Sequence, residues 1–165
     1  MSGGTLAFLG FIVLQRLGEL VLARRNTARL LQNGAREVGK THYPVMVAMH
    51  AAWVLCLVVF GHDQRVSLPW LAVFVLLQLG RLWILATLGP RWTTRIIISD
   101  RPLVVQGPFR FMRHPNYALV VAEIVVAPMV LGLYWVAIVF SVLNAAMLWV
   151  RIGVEEKALS PLRTT

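Results

Sequence analysis

Five apolar runs, the first three close to the roughly 20 residues that cross a bilayer and the last two shorter, leave this 165-residue chain few ways to fold. They cover Leu6 to Ala23, Tyr43 to Phe60, Leu68 to Leu88 and the two parts of Ala118 to Val150, which Gly132-Leu133-Tyr134 divides. Only helices and closed barrels satisfy the backbone in lipid, and these runs are continuous rather than alternating, so helices are expected. With 58% hydrophobic residues, the composition excludes an ordinary soluble domain of this size. The expected fold is an all-α integral membrane protein with five transmembrane helices. The last two form a helical hairpin, and Pro128 kinks or thins the first of that pair. Residues 1–165 read as a single membrane domain, without repeats or low-complexity tracts. The start of the chain lacks a basic segment and a convincing cleavage site, so the first run is expected to be retained as a span.

The formal charge of +9 could point to nucleic acid, but the basic residues gather in particular connections. Arg24, Arg25, Arg29, Arg36 and Lys40 lie between the first two runs, and Arg91, Arg95, Arg101, Arg110 and Arg113 between the third and fourth. Arg151, Lys157 and Arg163 follow the fifth, whereas the connection from Gly61 to Ser67 offers only Arg65. Placing the N-terminus outside and the C-terminus in the cytoplasm puts every basic segment on the cytoplasmic side, so membrane lipids rather than nucleic acid explain the charge. Asn26 to Asn33 is expected either as a short interfacial helix stopped by Gly34 or as a plain anchoring loop. Around Ser99-Asp100-Arg101-Pro102, the segments 95–98 and 103–105 suggest a small hairpin or lid.

Polar residues inside the runs need partners or a function. Counted from the basic ends of their runs at about 1.5 Å per residue, Arg16, His50, Arg81, Glu123 and Asn144 all fall roughly 9 to 12 Å deep. Each run contributes one of them. Glu19 lies on the same helical face as Arg16, and Arg81 and Glu123 can pair across helices. A shared depth points to a polar cavity. His50 can act there as a base or serve as a packing residue. The four histidines show no compact ligand spacing, so no metal is expected.

The stretch Gly107 to Tyr117, Gly-Pro-Phe-Arg-Phe-Met-Arg-His-Pro-Asn-Tyr, joins the basic central connection to the fourth run. Pro115 suits the first turn of a helix, with His114 or Arg113 just outside it. The free amides of that helix start, together with Arg110, Arg113 and His114, can receive an anionic group. Gly107 and Pro108 bend the chain in front, and Gly107 permits a close approach to the backbone.

The elements Leu103-Val104-x-x-Gly107-Pro108-Phe109-Arg110-x-x-Arg113-His114-Pro115-x-Tyr117 and, downstream, Arg151-x-x-x-Glu155-Glu156-x-x-Leu159 resemble the signature of the isoprenylcysteine carboxyl methyltransferase superfamily. Its members are integral membrane enzymes that use S-adenosylmethionine. Arg16-x-x-Glu19, Arg25-Asn26, Gly34-x-x-Glu37-x-Gly39-x-x-His42-Tyr43-Pro44 and Arg91-Trp92-Thr93-Thr94-Arg95 add similarity to a bacterial branch that O-methylates alkylpyrones and alkylresorcinols. The resemblance implies that Leu103, Val104, Phe109, His114, Pro115, Asn116, Tyr117 and Glu155 contact the cofactor and that Arg151 meets the substrate. It also implies a bacterial inner-membrane location with an active site opening to the cytoplasm. Phe109 stands where the family more often has tyrosine, and the aromatic tail that many relatives carry after the double glutamate is missing after Leu159.

Read residue by residue, S-adenosylmethionine needs donors for its carboxylate, which Arg113, His114 and the helix start can supply, and acceptors, which Glu155 or Glu156 can supply. Tyr117, Phe109 and Phe111 offer aromatic faces. The expected catalytic set is Arg151, Glu155 and His50; the expected cofactor set adds Gly107 and Arg113 to the positions named by resemblance. Expected acceptors are, in order, the hydroxyl of a long-chain polyketide lipid, a prenylcysteine carboxylate and a phospholipid amine. A non-catalytic membrane scaffold or carrier is the alternative from another class.

Overall fold

The computed structural model describes residues 2–160, so Arg163 lies outside the described residues. Five helices carry the fold: α1 Gly3–Gln32, α2 Tyr43–Gly61, α3 Leu68–Leu88, α4 Pro115–Val130 and α5 Tyr134–Leu159. Four are long and apolar enough to cross a membrane, and α4 is a shorter apolar helix of 16 residues. Leu14, Leu68, Leu76 and Ile138 are more than 60% exposed along the bundle. In lipid such a surface is the solvated one, and helix association rests on close packing and polar contacts rather than on apolar burial.

Away from the basic end, Ile12 of α1, Trp53 and Leu57 of α2, Phe74 of α3, Ile124 and Val130 of α4 and Val136 of α5 pack into one cluster. Phe8 and Phe74 meet edge to face with centroids 5.1 Å apart. The α4 to α5 turn forms as expected: α4 stops two residues after Pro128, and Gly132 takes φ +67°, a conformation that disfavours other residues. α3, α4 and α5 thereby become sequential neighbours.

Two features of the basic end differ from the sequence expectation. α1 runs unbroken to Gln32, so there is no separate interfacial helix at Asn26 to Asn33, although Gly34 does end it with φ +85°. Asn26 does not break the helix because its amide donates to the Trp92 carbonyl at 2.8 Å, while the hydroxyls of Thr27 and Thr93 lie 2.6 Å apart. The second difference is the hairpin expected within 95–105. Strand β2, Ile96–Ile98, instead pairs antiparallel with β1, Arg36–Val38, in the α1 to α2 connection, with Glu37 opposite Ile97. A salt bridge of 2.5 Å from Arg95 to Glu37 and the stacking of Arg95 on the Tyr43 ring at 4.1 Å hold that pairing.

Gly107 opens a short 3-10 turn, Gly107–Arg110, that lies against α3. Its φ is +56°, and a Cβ there would sit 2.6 Å from Thr87 Oγ1. The close approach that this glycine permits is therefore to α3. Gly107→Ala is expected to cost about 1–2 kcal/mol from the backbone conformation alone, in addition to the clash. A melting temperature in detergent equal to that of the parent would contradict this reading.

Candidate functional site

A cavity of about 360 Å³ opens at the basic end, between the 91–105 connection, the start of α4 and the end of α5. Eight of the positions expected to hold a cofactor line it: Leu103, Val104, Phe109, Arg113, His114, Asn116, Tyr117 and Glu155. Gly107 and Pro115 do not. Gly107 packs on α3, as described, and Pro115 is buried at the first position of α4, with His114 as the N-cap.

The start of α4 offers fewer free donors than expected. The amides of Tyr117 and Ala118 both already donate to the His114 carbonyl, and proline has no N–H. Polar atoms of side chains take over part of that role. Trp92 Nε1, His114 Nε2 and Asn116 Oδ1 are buried without a hydrogen-bond partner, and all three residues line the cavity. His114 Nε2 also has the Glu156 carboxylate 3.6 Å away. Leaving such groups unsatisfied costs about 1–3 kcal/mol each, so the set is suited to a ligand with its own donors and acceptors.

Arg151 and Glu155 do not pair directly among the described residues; Tyr117 stands between them. Its hydroxyl donates to Glu155 Oε2 at 2.5 Å and accepts from Arg151 Nε at 3.0 Å. The His114 ring stacks on Tyr117 with centroids 5.4 Å apart. The other hydrogen bonds of Arg151 go to the Thr94 carbonyl and Met46 Sδ, the latter at 3.0 Å. Arg151 is 4% exposed and makes no direct salt bridge among the described residues, so its charge is compensated only through the Tyr117 hydroxyl. That charge, after burial, holds the pKa of His42 below its ordinary value and favours the neutral ring.

A second cavity, also about 360 Å³, lies deeper among all five helices and is mainly apolar. Trp92, Asn116, Tyr117 and Arg151 line both cavities. The two spaces meet at these four residues. Leu17 of α1 and Ala51 of α2 line the deeper one and are exposed, so it is open on the side of these two helices.

The expected polar layer is present. Arg16, His50, Arg81 and Asn144 line the deeper cavity. Glu123, fully buried, accepts from Arg16 at 2.8 Å, from Arg81 Nε at 2.9 Å and from Gln78 at 3.1 Å. Glu19 pairs with Arg16 at 3.1 Å and with Arg81 at 3.2 Å. Two glutamates thus compensate two arginines. Gln15, which donates to Gln78 at 2.6 Å, and Gln78 itself complete the network without having been singled out. Their signal was a polar residue beside Arg16 and another one turn before Arg81. Trp92 and Thr94, also unassigned in advance, were marked only as part of the Arg91 to Arg95 motif. Among the described residues no group of three or more histidine, cysteine, aspartate or glutamate side chains is placed to hold a metal.

A cavity of mixed lining at the basic end, joined to a mainly apolar one, sits in a bundle whose long apolar helices mark an integral membrane protein. Residues 70–161 match the model of the isoprenylcysteine carboxyl methyltransferase (ICMT) family, and the chain belongs to that family of methyltransferases. It is 38% identical over 157 residues to "Uncharacterized protein YpbQ" of Bacillus subtilis (strain 168), covering 92% of this chain and 94% of that protein. An "Uncharacterized protein" of Haemophilus influenzae is 25% identical over 154 residues, covering 89% and 90%. No solved structure gives a significant match.

Proposed function

We propose that this single membrane domain is an S-adenosylmethionine-dependent O-methyltransferase whose acceptor is a long-chain polyketide lipid, an alkylpyrone or alkylresorcinol. One observation carries the reading: the basic-end cavity and the deeper, more apolar one share Trp92, Asn116, Tyr117 and Arg151. The cofactor, when bound, supplies a methyl group activated on a sulfonium. Glu155 is placed to accept from its amino or ribose groups, while Trp92, His114 and Asn116 offer the unpartnered atoms described above. Phe109 and Tyr117 offer apolar faces for the ring and the sulfonium. Arg151 orients the acceptor oxygen at the junction, where its charge also stabilises an ionised enol. A neutral phenol needs a base. The Nδ1 of His50 lies 2.8 Å from the Met46 carbonyl, which can only accept, so Nδ1 carries the proton and Nε2 is free to take another. Catalysis rests mainly on positioning and on exclusion of water.

The opening beside α1 and α2 favours an acceptor with a compact head and a tail that stays in the membrane. A prenylated peptide would bring several polar groups that each require a partner in lipid. Purified protein given radiolabelled S-adenosylmethionine should label a long-chain pyrone or resorcinol in preference to a farnesylcysteine analogue. Transfer to the analogue alone would overturn the choice of acceptor but not the class. No heat on titration with S-adenosylhomocysteine would instead favour a scaffold or carrier.

The charge distribution supports five spans in the bacterial inner membrane, with the N-terminus outside and the cofactor cavity facing the cytoplasm. Cysteines introduced at Gln64 and Gln106, both exposed, should then label from opposite sides, Gln106 from the cytoplasm. Labelling of both from one side would refute the arrangement.

A further inference from the structure

The deeper cavity contains polar groups that the charge network leaves unpaired, one of which, His50 Nε2, is also the base proposed above. Asn144 is 2% exposed and lines the cavity, yet its side-chain amide has no hydrogen-bond partner among the described residues. Arg16 lines the same cavity; two of its guanidinium nitrogens bond to Glu19 and Glu123, but its Nε is buried without a partner. His50 adds the free lone pair on Nε2. One acceptor and one amide that can donate or accept therefore face the same space from α2 and α5, and Arg16 lines it from α1.

These groups form an inner rung below the junction. On α5, Asn144 precedes Arg151 by seven residues, and on α2, His50 follows Tyr43 by the same interval. Residues seven apart share a helical face, and two turns of helix place the rungs about 10 Å apart along the backbone. All four of these residues line the cavity. An acceptor that is a simple hydroxyl on an apolar chain would engage the outer rung and leave the inner one unsatisfied in a low-dielectric site.

We infer that Arg16, His50 and Asn144 form a second polar subsite, which receives a further oxygen of the acceptor's head and so selects ring acceptors with two oxygens over those with one. The inference rests on the deeper cavity being the acceptor site, as proposed above. Rejecting an analogue that lacks a hydrogen-bonding group is the discrimination such a site makes well, because its own buried groups are then left unpaired.

Equilibrium binding separates this inference from the proposed chemistry. Protein in lipid nanodiscs would be titrated with 5-pentadecylresorcinol and with 3-pentadecylphenol, which share a tail and differ by one hydroxyl. The parent should bind the resorcinol about tenfold more tightly, as expected for about 1.4 kcal/mol. Asn144→Leu, which keeps the branched outline but has no hydrogen-bonding atoms, should abolish that preference while keeping the affinity for the phenol and for S-adenosylhomocysteine. Equal binding of the two lipids by the parent, no binding of either, or a preference that survives Asn144→Leu would each overturn the subsite. The parent comparison needs no variant, so it decides the matter even if Asn144→Leu does not fold. Preferential binding without methylation would leave the subsite standing and count against the proposed acceptor chemistry alone.

Discussion

Glu155→Gln is expected to weaken the binding of S-adenosylhomocysteine by one to two orders of magnitude, whereas Arg151→Ala should leave that affinity within a few fold and reduce turnover by about 10²–10³. The two residues are one helical turn apart on α5 and both line the basic-end cavity, but only Arg151 also lines the deeper one. A carboxylate loses its charge-assisted hydrogen bonds when it becomes an amide, which costs about 1.5–3 kcal/mol. Losing the arginine removes the only charge at the junction that can hold an acceptor oxygen in line. Calorimetry and single-turnover rates measured on the same preparations separate the two effects. Equal loss of cofactor affinity in both variants would show that the tyrosine bridge makes them one unit and would refute the division of roles. Tyr117→Phe probes that coupling: without the hydroxyl, nothing stands between the guanidinium and the carboxylate, and a direct ion pair would draw Arg151 away from the acceptor.

Much of this arrangement was legible in the sequence because the membrane makes strong demands. An apolar run of bilayer length has few alternatives to a helix, and a charged residue inside one must find a partner, so Arg16, Glu19, Arg81 and Glu123 signalled a cluster before their positions were known. The start of α4 was legible through Pro115, which can occupy a first turn but disrupts an interior. What the sequence did not disclose was long-range pairing of short segments. Arg36–Val38 and Ile96–Ile98 are three residues each, too short for a periodic signal, and the turn residues after Ser99 favoured a local hairpin. The structure joins them across 58 residues through Arg95 and Glu37, which brings the α1 to α2 connection beside the cavity. Asn26 misled for a similar reason. It reads as a helix boundary by local propensity, but its amide is used by the Trp92 carbonyl, and a tertiary hydrogen bond overrides a local preference. Gly107 shows the ambiguity of glycine motifs, since sequence indicates that something comes close to the backbone without saying whether it is a ligand or, as here, a neighbouring helix.

Removing the carboxylate at position 123 should have the largest effect on stability of any single change in the bundle. Glu123 joins α4 to Arg16 of α1 and to Arg81 and Gln78 of α3. In Glu123→Gln, the buried guanidinium of Arg81 and the partly exposed one of Arg16 would share only Glu19, and breaking the buried Arg81 pair in this way costs about 3–5 kcal/mol, because a charge is left without compensation. The pair itself need not be a net source of stability. Replacing both partners by apolar residues of similar volume is often neutral, so Glu123→Leu combined with Arg81→Met should recover much of what either change loses alone. The recovered fold would still lack the network that holds Arg16 at the cavity wall. Denaturation in a single detergent would therefore show a large drop for Glu123→Gln and strong non-additivity in the double variant, while acceptor binding stays impaired in both. A melting temperature for Glu123→Gln equal to that of the parent would mean that the network carries no structural energy. Full recovery of acceptor binding in the double variant would mean that its charges serve packing alone.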